Sequence, residues 1–117
     1  MKVLVVDDEQ LVRWFLERAL KKWGHEVVSV SNIHEAMVQV RENSFDVLFT
    51  DLRMPEGDGS KLVKQVCGMP EKNVKIVICS AFITNDMIKD FRDQGILTLK
   101  KPFKLAELEK TLHLCSD

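Results

Sequence analysis

The chain has 117 residues, 17 of them basic and 18 acidic, for a formal charge of −1. At 45% hydrophobic content it can bury roughly two-thirds of the surface its unfolded form exposes, so one core suffices and a single domain over residues 1–117 is expected. With no basic run beyond Lys21-Lys22 and Lys100-Lys101, it lacks the electrostatic footprint of a protein that binds nucleic acid directly. Cys67, Cys79 and Cys115 are odd in number and lack metal-ligand spacing, and nothing at the N-terminus resembles a signal peptide or membrane span. The expectation is a reduced, cytoplasmic protein without membrane contact.

The apolar pattern alternates between short continuous runs and helical periodicity, as a parallel sheet covered on both faces requires. Lys2 to Val6 reads as the first strand. From Glu9 to Trp23, the residues Val12, Phe15, Leu16, Ala19, Leu20 and Trp23 recur at three- and four-residue steps as one inward stripe, with Gly24 as the stop. Trp14 falls off that stripe and is a candidate contact for a partner. Val27 to Val30 supplies the second strand. Asn32 followed by Glu35 has capping-box spacing and opens a helix with Ile33, Ala36, Met37 and Val40 inward, broken by Asn43-Ser44.

The third strand is Phe45 to Thr50, and a loop from Arg53 to Gly59 precedes a helix carrying Leu62, Val63 and Val66, ended by Gly68-Met69-Pro70. Val74 to Cys79 is the fourth strand. Thr84 or Asn85 caps a helix bearing Met87, Ile88 and Phe91, and Gly95 closes it. Ile96 to Leu99 is the fifth strand, and Leu105, Leu108, Leu112 and Cys115 mark a last helix from about Lys104 to His113. This order predicts an α/β fold: an open, doubly wound five-stranded parallel sheet with helices on both faces.

Ligands of such sheets bind outside the strand C-termini. There the first run ends at Asp7-Asp8, the third at Asp51 and the fourth at Ser80, while the fifth leads to Lys101-Pro102. Three carboxylates, a hydroxyl and an ammonium would converge in one shallow cleft. Crowded carboxylates repel one another unless a divalent cation neutralises them, and Mg²⁺ suits all-oxygen coordination. Each residue also has an ordinary reading: Asp8 as an N-cap, Asp51 as a loop start, Ser80 as a satisfied strand end, Lys101 as a solvated lysine like Lys100. Together they form the set a carboxylate phosphoacceptor needs. His25, His34 and His113 show no shared face or mutual spacing, and Cys79 reads as a small core residue.

From Lys2 to about Leu114 the chain resembles a two-component response-regulator receiver domain. The matching residues are Asp7-Asp8, Asp51-Leu52-Arg53-Met54-Pro55 with Asp58-Gly59, Ser80-Ala81, and Lys101-Pro102-Phe103. The resemblance implies a flavodoxin-like strand order of 2-1-3-4-5 and phosphorylation of Asp51 by a sensor histidine kinase or a small acyl phosphate. It implies that Asp8, Asp51 and the main-chain carbonyl of Arg53 bind Mg²⁺ while Asp7 orients a coordinated water. It also implies that Lys101, before a cis Pro102, contacts Asp51 and then a phosphoryl oxygen, and that the Ser80 hydroxyl and Ala81 N–H bind the other oxygens. Such a domain catalyses its own phosphorylation and dephosphorylation yet acts as a signalling module.

The chain departs from the family pattern at Thr98, where an aromatic switch residue is common. Phe82 could take over part of that packing, or be a plain core or loop anchor, and Arg53 with Phe82 would flank the path of a hydrolytic water. The output surface would span the fourth helix, fifth strand and fifth helix, meeting a downstream effector or a second copy of the chain. The Thr50 to Pro55 stretch resembles receivers of transcription activators. An alternative is a receiver-like module that binds partners without phosphorylation. A third reading, a small aspartyl-phosphate phosphatase, needs Asp-x-Asp, and Arg53 stands at its second acid.

Overall fold

A computed structural model describes residues 1–54 and 57–116. In chain order the elements are β1 (Lys2–Val6), α1 (Gln10–Lys22), β2 (Glu26–Val30), α2 (Ile33–Glu42), β3 (Val47–Thr50), β4 (Arg53–Met54), β5 (Gly57–Asp58), α3 (Gly59–Cys67), a 3-10 turn (Pro70–Lys72), β6 (Lys75–Ser80), α4 (Asn85–Asp93), β7 (Leu97–Lys100) and α5 (Leu105–Cys115). The main sheet is parallel throughout, in the order β2-β1-β3-β6-β7. Counting only those five strands, the order is 2-1-3-4-5, the flavodoxin-like arrangement expected.

Alternation along each strand divides the interior in two. Val3, Val5, Val47, Phe49, Val77, Cys79 and Leu99 face α1 and α5, packing on Leu16, Leu20, Leu108 and Leu112. Leu4, Val6, Leu48, Ile76 and Ile78 face the other way, onto Ile33, Ala36, Val40, Leu62 and Val66, with Met87, Ile88 and Phe91 of α4 beside them. Each fully buried aliphatic side chain stabilises the fold by roughly 1.5–3 kcal/mol. Cys79 is part of this core, as read from the sequence.

Two members of the expected inward stripes are exposed instead: Phe15 at 40% and Leu105 at 48%. Both line a groove where α1 meets the start of α5, so they flank the helix faces that the sheet covers. Phe15 rests on the edge of Phe103, with ring centroids 5.7 Å apart. Trp14 is exposed, as its position off the stripe predicts.

Local signals mostly act where expected. The Asn32 side chain accepts from the Glu35 N–H, and Thr84 rather than Asn85 caps α4 by accepting from the Met87 N–H. Gly24 and Gly95 stop helices at φ +88° and +78°, in the left-handed region that suits glycine. The expected loop from Arg53 to Gly59 is more ordered than predicted: β4 and β5 pair antiparallel, with Arg53 opposite Asp58. Pro55, part of the quoted motif, lies outside the described residues. Asp8 is not the cap of α1. Glu9 occupies that position without a side-chain cap bond, and the Glu9 N–H donates instead to Asp7 Oδ1. His25 and His113, expected to share no face, line one cavity at the opposite end of the sheet, beside Met1 and Glu109.

Candidate functional site

Because β1 and β3 are neighbours in register, with Val6 opposite Thr50, the residues that follow them emerge side by side. One carboxylate oxygen from each of Asp7, Asp8 and Asp51 lies within 4.8 Å of the others. Asp7 and Asp51 are buried, whereas Asp8 faces solvent. From the far side of the sheet Lys101 reaches inward. Its Nζ lies 2.6 Å from Asp7 Oδ2, 2.8 Å from Asp51 Oδ2 and 3.2 Å from Glu9 Oε1. The Lys101-Pro102 bond is cis, and Lys100 points to solvent.

Burial pushes the Asp7 carboxyl above its ordinary range, although Lys101 and the Glu9 N–H pull the other way. Burial also pulls on the Lys101 ammonium, but its hydrogen bonds to Asp51 and Asp7 outweigh this and hold its pKa above the usual lysine value. The Lys101 ammonium meets the carboxylates of Asp7, Asp51 and Glu9, Asp8 adds a fourth beside them, and Arg13 Nη1 donates to the Asp7 main-chain carbonyl at 2.6 Å, so carboxylates outnumber the cations bound to them. Converging carboxylate oxygens, open to solvent at Asp8, are the donor set that a hard divalent cation such as Mg²⁺ takes. The residues present fit that ion.

Arg53, Ser80, Ala81 and Phe82 lie around this cluster, whereas Thr98 does not. The Arg53 N–H donates to Asp51 Oδ1 at 3.2 Å, and its guanidinium lies over the Phe82 ring, 5.0 Å from the centroid. Ser80 ends β6, the strand beside β3, and its Oγ accepts from the Phe82 N–H at 3.2 Å. Ala81 is exposed at the lip. Phe82 is itself 66% exposed, which corrects the reading of it as a core anchor. Thr98 sits opposite Ile78 within the β6–β7 pairing rather than in the cleft.

Two residues of the site were not assigned a role from the sequence. Glu9 gives Lys101 a third carboxylate, and the only hint was an acid directly after Asp7-Asp8. Gly59 starts α3 so close to the acid site that a Cβ there would lie 2.0 Å from the Asp51 carbonyl oxygen. Its N–H donates to the Leu52 carbonyl at 2.9 Å, tying α3 to the segment that carries Asp51.

Fold and cluster together define a class: a parallel α/β domain with a lysine-bridged acidic site at its strand C-termini. The chain belongs to the response regulator receiver domain family, whose sequence model matches residues 3–113, and is thus a signalling domain of two-component systems. It is 30% identical over 108 residues to the sporulation initiation phosphotransferase F of Bacillus subtilis, covering 92% of this chain and 86% of that protein. It is 33% identical over 112 residues to the transcriptional regulatory protein ZraR of Salmonella typhimurium, covering 95% of this chain and 25% of that one. The sensory/regulatory protein RpfC of Xanthomonas campestris is 32% identical over 116 residues, 96% of this chain and 16% of that protein. The chain therefore spans a quarter or less of the length of these last two relatives. Among solved structures, the chemotaxis response regulator CheY4 of Vibrio cholerae superposes with a TM-score of 0.87 at 29% identity, covering 97% of both chains. Receiver domains interact with histidine kinases and effector domains and generally bind Mg²⁺ at an acidic cluster. No described helix is long and apolar enough to cross a membrane.

Proposed function

We propose that the whole chain, residues 1–117, acts as a cytoplasmic receiver in which Asp51 accepts a phosphoryl group from a phosphohistidine of a sensor histidine kinase. The observation that carries this reading is Lys101 Nζ held 2.8 Å from Asp51 Oδ2 within a cluster of aspartates.

An Asp51 carboxylate oxygen attacks the phosphorus, and the P–N bond of the phosphohistidine breaks. The imidazole leaves with the bonding pair and takes up a proton from solvent, and an acyl phosphate remains on Asp51. Lys101 transfers one N–H from Asp51 to a phosphoryl oxygen. The Ser80 hydroxyl and Ala81 N–H donate to the others. Asp8, Asp51 and the Arg53 main-chain carbonyl would hold Mg²⁺, with Asp7 orienting a coordinated water, and the bound ion supplies charge neutralisation across the phosphoryl oxygens. Hydrolysis reverses the modification: water attacks phosphorus, the bond to the Asp51 oxygen breaks, and inorganic phosphate departs. Arg53 and Phe82 flank that approach and influence the lifetime of the acyl phosphate.

The exposed Leu11 and Phe15 of α1 lie beside Pro102 and Phe103 at the cleft mouth, a place for the phosphodonor to dock. The surface of α4, β7 and α5 carries the changed state to a downstream effector or a second copy of the chain. Likeness to ZraR supports a transcription activator as the wider setting. The near-neutral charge supports output without direct DNA contact by this domain.

Incubation with acetyl phosphate and Mg²⁺, followed by intact mass, tests the reading. A labile species about 80 Da heavier is expected, absent without Mg²⁺ and absent in Asp51→Asn. No adduct under any condition would favour an interaction module that works without phosphorylation.

A further inference from the structure

Arg53 and Phe82 close one side of the cleft, and each is tied to the acid site through its backbone. The Arg53 N–H reaches Asp51 Oδ1, and the Phe82 N–H reaches Ser80 Oγ. Between them the guanidinium lies 5.0 Å from the centroid of a ring that is 66% exposed. At such an exposed position a cation–ring contact biases an equilibrium by only about 2- to 5-fold. Charge-assisted hydrogen bonds from a guanidinium to a phosphoryl group are worth roughly 10- to 100-fold. The phosphoryl group therefore outcompetes the ring.

Resting on phosphorylation of Asp51, we propose that Arg53 is a phosphoryl-sensing side chain: its guanidinium rests on Phe82 while Asp51 is free and moves to the phosphoryl oxygens when Asp51 is modified. The move releases the Phe82 ring. Ser80, drawn to the same group, loosens the Phe82 N–H at the same time, so both restraints on the ring respond to one event. With Thr98 in place of an aromatic residue on β7, Phe82 becomes the ring whose position reports the state. The released surface is the loop between Ser80 and Thr84, directly before α4.

The test is a double-mutant cycle on the full chain, with Mg²⁺ and beryllofluoride as the phosphoryl mimic, followed by NMR of ¹⁵N-labelled protein. In the free protein the Arg53 Nε–H is expected upfield of its position in Phe82→Leu, because it sits over the ring, and it should move downfield on saturation. Phe82→Leu should bind the mimic about 2- to 5-fold more tightly, since Arg53 is no longer held. Arg53→Gln should bind roughly 10-fold or more weakly, and adding Phe82→Leu to it should bring no recovery. An unmoved Arg53 Nε–H while the Asp51 and Ser80 amides shift would overturn the proposal alone, as would tightening by Phe82→Leu that persists in Arg53→Gln. If no amide near Asp51 responds in the unaltered chain, the phosphoacceptor reading fails and this inference falls with it.

Discussion

Lys101 Nζ lies 2.8 Å from Asp51 Oδ2, although 50 residues separate them in the chain. Asp7 and Glu9 take up the other two N–H donors of the ammonium, which is therefore saturated by carboxylates. The side chains of Lys101, Asp7 and Asp51 are each at most 10% exposed, so their charges are poorly screened. Removing the cation leaves the acids without compensation. Lys101→Met is expected to lower stability by about 2–4 kcal/mol in metal-free buffer. Millimolar Mg²⁺ should restore part of the loss. Urea unfolding with and without the ion checks both, and equal stability of the two chains would count against the bridge.

Asp7 shows the opposite balance. Burial outweighs its hydrogen bonds and raises its pKa above 3.8, so the folded chain holds that proton more tightly than the unfolded chain does. Ionised Asp7 therefore costs stability. The cost is absent well below the ordinary value and complete once pH has risen past the raised one. Asp7→Asn should accordingly melt a few degrees higher than its parent at neutral pH without metal, and gain less from Mg²⁺. Lys101 runs the other way: its raised pKa stabilises the fold throughout neutral pH, and that contribution fades only as pH climbs through the folded value. Melting curves across pH separate the two effects, and a lower melting point for Asp7→Asn would contradict the first.

Gly59 is constrained by space. A methyl group there would meet the Asp51 carbonyl oxygen and the Leu52 Cα, both backbone atoms that a rotamer change cannot move. Gly59→Ala is expected to cost about 1–3 kcal/mol and to displace the segment carrying Asp51. Loss of labelling by acetyl phosphate beyond what the unfolded fraction explains would show the displacement. Unchanged stability and labelling would refute the close approach.

The three cysteines should differ sharply as nucleophiles. Cys67 is exposed at the end of α3, while Cys79 and Cys115 are buried, and burial raises the pKa of both. In the folded chain one thiol should react quickly with a disulfide reagent and two should wait for unfolding. Three fast thiols would mean that the core between the sheet and helices α1 and α5 is open.

Most of the architecture was legible because strand and helix periodicities differ and each strand stops at a polar residue. Asp7, Asp51, Ser80 and Lys101 could be placed together without coordinates, since parallel strands bring their C-terminal ends to one edge. What was not legible depends on reach and lateral packing. Glu9 meets Lys101 only because a long side chain folds back across the cleft, and no spacing rule encodes that. Phe15 and Leu105 match the helical period yet stay exposed, because periodicity marks a stripe but not how much of it the sheet covers. The Arg53 to Gly59 stretch, rich in turn formers, read as loop, whereas β4 and β5 exchange a brief antiparallel pairing. The α1 cap moved from Asp8 to Glu9, which leaves the Asp8 carboxylate turned toward Asp7 and Asp51.

Chemical trapping can locate the modified residue outright. The chain is loaded with acetyl phosphate and Mg²⁺, reduced with borohydride, which converts an acyl phosphate to an alcohol, and mapped by peptide mass. Reduction confined to Asp51 is the expected result. Reduction at Asp7 or Asp8, or at no residue of a chain that still folds and binds Mg²⁺, would contradict the role assigned to the Lys101-bridged acid site.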